Sequence, residues 1–300
     1  MKNAINYYYN LITYDIHQIG KTYNFSVNNE PYVLLIYERP SNEINSIYEI
    51  STNFFYQNIY IHQIIPNNQK ELITMINNEP YVLLKIYIPS ENKITIDDII
   101  LFNSLTYNNK ADVLKKNNWH ELWSKKIDYY EEQIREFGIK YPLIRESFSY
   151  FIGLTETGIM LLQNFQDNSQ LVISHKRINH NTTFFDLYNP LNFILDSKSR
   201  NICEYLKSLF FNDKITTDQI KKYLQYSNFN SNELYLFFAR LFYPSFYFDI
   251  YDDVIFDQKK EKELQDIINK TSAYEQLIKE IYFYLKNYIN LPEIEWIIKI

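Results

Sequence analysis

An eight-residue segment, Asn-Asn-Glu-Pro-Tyr-Val-Leu-Leu, occurs twice in this sequence, at residues 28–35 and at residues 77–84. Each copy begins with polar turn residues and continues into aromatic and β-branched ones, and a strand-like segment precedes it at residues 22–27 and 71–76. Two copies are too few to build a stable solenoid. The repeat therefore predicts two similar β-hairpins within one antiparallel sheet.

Between the two hairpins, the sequence predicts a short helix over 46–56 and a further strand over 60–65. From about residue 95 the apolar residues recur at the helical period. One such stripe predicts a long helix whose buried face is formed by Trp119, Trp123, Ile127, Tyr130, Ile134 and Phe137. The other predicted strands span 171–174, 183–188 and 192–195. Helices are predicted over 155–165 and 200–211, and a further helix begins near Thr217. Another helix is capped by Ser231 and ends at Pro244, and the last runs from a capping box at Ser272 and Glu275 to Pro292.

The predicted fold class is α+β, with a β-rich N-terminal lobe over residues 1–90 and a mostly helical C-terminal lobe over residues 91–300. The net charge of −6 provides no basic footprint for nucleic acid and does not favour anionic membranes. Nowhere do 18 consecutive apolar residues occur, so neither a signal peptide nor membrane insertion is expected. The lone Cys203 fits a reducing compartment, which makes a cytoplasmic location the default.

A five-stranded lobe with one helix, followed by a helical lobe that contains a small hairpin, is typical of a kinase. Residues 171–182 resemble the catalytic loop of aminoglycoside- and choline-kinase-like phosphotransferases, in which an apolar strand leads into His-x-Asp and an Asn follows five residues after the Asp. Asp196, which closes the next apolar strand, stands where those families bind metal. Residues 199–205 are similar to their Arg-Asp-hydrophobic-Ala-Glu run.

More specifically, the chain resembles the bacterial endospore-coat kinase-like proteins of the CotS and YutH type, within the aminoglycoside phosphotransferase and choline kinase-like superfamily. The resemblance is carried by five blocks in the right order, at residues 64–84, 122–131, 150–156, 239–248 and 295–296. It implies a protein-kinase-like two-lobed fold. If the host sporulates, it also implies a location at the spore coat and other coat proteins as partners.

The sequence departs from this pattern where phosphoryl transfer has its chemistry. Arg177 stands at the position of the catalytic Asp, and a permanently protonated guanidinium cannot accept a hydroxyl proton. Thr182 replaces the following Asn, although Asn181 is adjacent. Of the catalytic-loop positions, His175 is the one that keeps the expected residue type.

The N-terminal part also lacks the elements that hold ATP phosphates. Tyr37, Glu38 and Arg39 stand where a strand lysine is expected, and Lys85 lies in the second hairpin. Gly20 is the only glycine before residue 138, so there is no glycine-rich loop. Only Asp196 remains of the five parts.

Each candidate residue has a structural interpretation beside the catalytic one. His175 is expected to fix loop backbone by hydrogen bonding, and His175 with His180 is a poor metal pair because no carboxylate or thiol joins them. Arg177 is expected to form a salt bridge, or else to bind an anion. Asp196 is a metal ligand or a turn residue, and the acidic run 249–253 is expected to be a solvated edge.

The leading hypothesis is a catalytically degenerate kinase-like protein, a pseudokinase, with no cofactor. The alternative is an atypical small-molecule phosphotransferase in which Asp196 and Asn181 hold magnesium for ATP. A third hypothesis is a binding module that retains a small-molecule pocket in its cleft.

Overall fold

The computed structural model describes residues 1–106, 112–116, 118–166, 168–256 and 259–299. The strands of these residues are β1 Ile16–Ile19, β2 Thr22–Val27, β3 Glu30–Ile36, β4 Gln63–Ile65, β5 Thr74–Ile76, β6 Glu79–Lys85, β7 Leu171–His175 and β8 Phe193–Ser197. The helices are α1 Lys2–Tyr9, α2 Ile44–Tyr56, α3 Ile96–Leu105, α4 Trp119–Phe137, α5 Pro142–Gln163, α6 Phe184–Leu187, α7 Ser199–Phe211, α8 Thr217–Tyr226, α9 Ser231–Leu241, α10 Ser245–Ile255, α11 Gln265–Asn269, α12 Thr271–Leu285 and α13 Glu295–Lys299.

The repeated segment forms two hairpins, as predicted, in an antiparallel sheet of order β1-β2-β3-β6-β4, with β5 paired to β6. Each hairpin turn consists of two asparagines with positive φ, Asn28 and Asn29 in one and Asn77 and Asn78 in the other. Positive φ at both central residues is the requirement of the type I′ turn, whose twist matches that of the flanking strands. Asparagine tolerates this conformation better than other non-glycine residues, so the turn residues fix the register.

The two copies of the repeat also pair with each other at the centre of the sheet. Strands β3 and β6 run antiparallel, and Leu34 lies opposite Leu83, which is its own equivalent in the second copy. Glu30 pairs with Lys85, and Glu79 pairs with Lys21. The repeat therefore builds a local two-fold arrangement around which the sheet is assembled.

Both faces of this sheet are covered. On one face, the short helix α1 contributes Ile5 and Tyr9 to a small core with residues such as Leu34 and Leu83. On the other face, Val33 joins the main core of the molecule, together with α2. Helix α1 and strand β1 were not predicted, because the polar and tyrosine-rich sequence of residues 1–19 carries neither a clear helical stripe nor a clear alternation.

The helical part contains the long α4 at its predicted bounds, and α4 packs against α5. Gly158 of α5 lies very close to α9, since a Cβ there would be 3.1 Å from Phe242 Cβ and 3.2 Å from the Ala239 carbonyl oxygen. Among the described residues, no helix is both long enough and apolar enough to cross a lipid bilayer.

Four predictions about this part were wrong. The cap of α9 is Asn230, whose side chain accepts from the Glu233 N–H, and not Ser231. Residues 183–188 form the short helix α6 and not a strand, because Thr183 and Asp186 form a capping box that outweighs the apolar run. The helix predicted over 155–165 is the second half of the 22-residue helix α5, which begins at Pro142 and ends at Gln163. Ser272 and Glu275 form no capping box, since α12 begins at Thr271 with Lys270 at its cap position. The boundary between lobes at residue 90 stays a prediction.

We expect Asn29→Ala and Asn78→Ala each to lower the free energy of unfolding by about 1 kcal/mol, because alanine disfavours positive φ. Urea unfolding followed by circular dichroism measures the loss. The matched controls are Asn29→Gly and Asn78→Gly, which should stay within about 0.5 kcal/mol of the parent protein. Alanine variants as stable as the glycine variants would contradict the turn assignment.

Candidate functional site

The loop that resembles a catalytic loop leaves the hairpin of β7 and β8. His175 ends β7 opposite Phe193, and Asp196 lies on β8 opposite Val172. The hairpin thus brings together the loop over residues 176–182 and the strand that carries Asp196.

His175 is buried, and both of its ring nitrogens are engaged. Nε2 donates to the Leu187 carbonyl oxygen at 2.8 Å, and Nδ1 therefore accepts from Asn201 Nδ2 at 3.0 Å. The backbone N–H of His175 donates to Asn201 Oδ1 at 3.0 Å. Burial lowers the pKa of His175 to about 4, so the ring is neutral and holds backbone in place.

Asn201 is a site residue to which the sequence analysis gave no role. It occupies the Asp position of the Arg-Asp-hydrophobic-Ala-Glu run and anchors the start of the loop through the His175 contacts. An aspartate could not donate to the His175 nitrogen as this amide does. The sequence did carry a signal for this role, because Asn201 stands where the family pattern has an aspartate.

Asp196 lies in a buried cluster of charges. Its side chain is 1% exposed, and Oδ2 accepts from Arg240 Nη2 at 2.8 Å and lies 3.6 Å from Arg200 Nη1. Oδ1 accepts from the backbone N–H of Ser197 at 2.7 Å. Both guanidinium groups lie over the ring of Trp119, at 4.5 Å for Arg200 and 4.3 Å for Arg240. We call Asp196, Arg200, Arg240 and Trp119 the Asp196 cluster.

The Asp196 cluster also holds the loop. Arg200 donates to the carbonyl oxygens of His175 and Lys176, both at 3.2 Å. Burial, and after it the charge of Arg240, lowers the pKa of Arg200 to about 10. The guanidinium is still charged at neutral pH, so Asp196 neutralises a group that fixes the loop backbone.

Arg177 forms the salt bridge that was expected as one of its two roles. Its Nη2 lies 2.9 Å from Asp249 Oδ1, at the mouth of a cavity where the Arg177 side chain is 67% exposed. Burial works to lower the pKa of Arg177, but Asp249 and neighbouring groups raise it above its ordinary value. Burial raises the pKa of Asp249 to about 6 despite Arg177.

The acidic run 249–253 was predicted to be a solvated edge, but its three carboxylates are only partly exposed and each is paired with a basic group. It lies on α10, where Tyr251 is buried and Asp252 accepts a hydrogen bond from Tyr130 at 3.0 Å. Asp252 also lies 3.5 Å from Lys126, and Asp253 lies 3.0 Å from Lys259. The helical periodicity directs these carboxylates toward basic partners on other elements.

The two remaining loop residues contact other parts of the chain. Asn181 Oδ1 accepts from Lys93 Nζ at 2.7 Å, and the Thr182 hydroxyl accepts from the Asn179 N–H at 2.9 Å. His180 Nδ1 lies 2.7 Å from the Ser208 hydroxyl. Among the described residues, no three His, Cys, Asp or Glu side chains are grouped so that they could hold a metal ion.

The N-terminal lobe has a short turn where a phosphate-binding loop would lie. The residues between β1 and β2 are Gly20 and Lys21 alone, with φ of 59° at Gly20. Arg39, near the expected place of a strand lysine, is buried against Glu43 at 2.7 Å. It also donates to the carbonyl oxygens of Leu191 at 2.8 Å and Phe193 at 2.7 Å, so it connects the end of the N-terminal sheet to the hairpin of β7 and β8.

Two cavities flank this region. The upper cavity, of about 990 Å³, lies under β1–β3 and is lined by Phe25, Tyr32, Val33, Ile86 and Phe185 among others. Its charged lining residues, within the described part of the chain, are Asp15 and Glu91. The lower cavity, of about 740 Å³, lies on the side of the loop over residues 176–181.

The fold is that of the kinase-like small-molecule phosphotransferases. An aminoglycoside phosphotransferase from Alicyclobacillus acidocaldarius aligns over 96% of this chain and 97% of its own, with a TM-score of 0.65 and 10% identity. The AMP-bound spectinomycin phosphotransferase aligns over 94% of this chain and 96% of its own, with a TM-score of 0.62 and 12% identity. At such identities the likeness establishes the fold alone, and it confirms the α+β kinase-like prediction.

Within this class, the chain belongs to the family described as "Spore coat putative kinase YutH", whose model matches residues 2–281. The endospore coat-associated protein YutH of Bacillus subtilis is 24% identical over 209 residues. The matched region is 60% of this chain and 61% of that relative, so the chain spans less than two thirds of the relative's length. The family resemblance inferred from the sequence blocks is confirmed.

The buried histidines predict a specific dependence of stability on pH. Burial lowers the pKa of His62 to about 4, as it does for His175. The unfolded chain protonates these rings below about pH 6.5 and the folded chain does not. The contribution of each neutral ring to the free energy of unfolding is therefore fully present above pH 6.5. It is lost as the pH falls toward 4, by up to about 3 kcal/mol per ring.

Urea unfolding of His62→Gln between pH 7 and pH 4 isolates this effect. The variant should lose less stability over that range than the parent protein does, whereas His17→Gln, at an exposed histidine, should match the parent. Comparison of variants is needed because Asp249, whose pKa burial raises to about 6, acts in the opposite direction. Equal pH dependence in all three proteins would show that His62 is not held neutral.

Proposed function

We propose that this protein is a catalytically degenerate kinase-like protein that acts as a binding or scaffolding component associated with the endospore coat. The coat association is supported by membership of the YutH family and by the likeness to the coat-associated protein of Bacillus subtilis. Other coat proteins are the partners that this role requires.

The observation that carries the proposal is the state of Asp196. Phosphoryl transfer depends on magnesium held by carboxylate oxygens next to the nucleotide phosphates. Here the carboxylate is 1% exposed, hydrogen-bonded to Arg240 and to a backbone N–H, and ion-paired with Arg200 at 3.6 Å. Binding a metal ion would require these contacts to break and would leave two buried guanidinium groups without their counterion.

The other expected parts support the same conclusion. Arg177 occupies the position of the base and is paired with Asp249. The turn between β1 and β2 consists of Gly20 and Lys21 and does not provide the glycine-rich loop that covers phosphates in kinases. The upper cavity, within the described residues, offers phosphates two acids and no lysine or arginine.

One observation favours the alternative of an atypical phosphotransferase. Asp249 lies beside Arg177 in the lower cavity, and burial raises its pKa to about 6. A carboxylate with a pKa near neutrality is suited to accept a proton from a substrate hydroxyl. In this alternative Asp249 would act as the base, and ATP and magnesium would bind only after Asp196 is released.

Turnover of ATP with magnesium, measured against choline, sugars and aminoglycosides, tests the two functions. We expect the parent protein to match Asp249→Asn, with no transfer above background. Arg177→Asp should not restore transfer, because Asp196 is still held by the two arginines. Robust transfer by the parent that is lost in both Asp249→Asn and Asp196→Asn would overturn the proposal.

The coat association has its own test. A fluorescent fusion of the chain, produced during sporulation of Bacillus subtilis, should collect at the spore coat. The Asp249→Asn fusion is the matched control and should collect there equally, since a scaffold needs no catalysis. A diffuse signal for the parent fusion would contradict the coat association and would leave the question of catalysis to the turnover assay.

A further inference from the structure

The lower cavity has a charge opposite to that of the chain. The whole sequence has 30 Lys and Arg against 36 Asp and Glu. The cavity lining nevertheless contains eight Lys and Arg and only two acids, Glu204 and Asp249. Six of the cations reach the walls from several elements: Lys116, Lys126, Lys176, Arg177, Lys207 and Lys259. The other two are Arg200 and Arg240 of the Asp196 cluster.

We propose that the lower cavity binds an organic phosphate, a dianionic phosphomonoester with an aromatic or apolar body. This function goes beyond the proposed scaffolding role and does not depend on it, since a phosphate ligand can be bound with or without catalysis.

The ion pairs of the described residues leave three positive charges without a counterion. Lys126, Lys259, Arg177 and Lys207 each have their own acid, in Asp252, Asp253, Asp249 and Glu204 respectively. These four pairs are neutral and set no preference for an anion.

The excess arises at the other cations. Arg200 and Arg240 share the single carboxylate of Asp196. Lys116, at 3.8 Å, shares Glu43 with Arg39, at 2.7 Å.

Lys176, beside Arg177 in the loop, forms no ion pair within 4.0 Å among the described residues, and its side chain is exposed to the cavity. Burial is the main cause that lowers the pKa of Lys176, and the nearby charges of Arg39 and Lys116 lower it further. A dianionic phosphate would offset these positive charges. Lys176 is therefore the side chain best placed to meet the ligand without losing a partner.

Unpaired donors lie in the same walls. Arg240 Nε, Trp119 Nε1 and Trp123 Nε1 are buried, and each lacks a hydrogen-bond acceptor within the described structure. All three residues line the lower cavity. Buried donors are normally satisfied, and these three unsatisfied donors lie just behind the wall of one cavity.

The aromatic walls explain why the ligand should be organic. Trp119, Trp123, Tyr243 and Phe246 all line the cavity, and Trp123 stacks on Tyr243 with ring centroids 4.9 Å apart. Flat aromatic surfaces beside cations can bind the apolar body of a ligand while the cations bind its phosphate. The upper cavity, with Asp15 and Glu91, would repel the same ligand.

Calorimetry on the full chain with phenyl phosphate tests the proposal. We expect saturable binding that weakens as salt is added, because the attraction is electrostatic. Lys176→Gln should weaken binding roughly tenfold, the value of one charge-assisted contact. Lys222→Gln, at an exposed lysine of α8 outside the cavity, is the matched control and should bind as the parent does.

Two further probes define the ligand class. Inorganic phosphate should bind more weakly than phenyl phosphate, and phthalate, a dicarboxylate of similar size, should also bind more weakly. Circular dichroism verifies that Lys176→Gln is folded. The proposal is overturned if phenyl phosphate does not bind at millimolar concentration, if both lysine variants behave alike, or if inorganic phosphate or phthalate binds as tightly as phenyl phosphate.

Discussion

The buried contact between Asp196 and the guanidinium groups of Arg240 and Arg200 is the interaction on which the site depends. Removing three charged groups from water is costly, and the cost is offset only because each charge is bonded to another. Arg200 extends this bonding to the loop that follows His175, and Arg240 ties α9 to the β8 hairpin. We propose that this carboxylate, which would serve chemistry in a phosphotransferase, serves cohesion in this protein.

Buried contacts of a similar kind connect the sheet to the helical part. Arg39 lies near the place of a phosphate-binding lysine, yet its guanidinium bonds to Glu43 and to the carbonyl oxygens of Leu191 and Phe193. His62 reaches across in a similar way, toward the carbonyl oxygen of Phe185 at 3.1 Å. Both side chains are therefore engaged by other atoms of the protein.

Much of the fold could be predicted because its signals are local. The paired asparagines specify the two hairpins, and the stripe from Trp119 to Phe137 specifies α4 at its observed bounds.

The candidate site was less predictable because its contacts are distant in sequence. Arg240 meets Asp196 across 44 residues, and no local pattern indicates that pairing. Asp249 was expected to be a solvated acid, and only the structure shows that α10 brings it next to Arg177. Short apolar runs such as residues 183–188 are ambiguous between strand and helix, and there a capping box decides.

A double-mutant cycle on Asp196→Asn and Arg240→Gln, measured by urea unfolding, tests most directly whether Asp196 is committed to the protein interior. Each single change should lower the free energy of unfolding by about 3 kcal/mol, since each leaves a buried charge without its partner. The double variant should lose about 2 kcal/mol less than the sum of the two singles. Additive losses, or an Asp196→Asn protein that keeps its stability but loses magnesium-dependent nucleotide binding, would contradict the account.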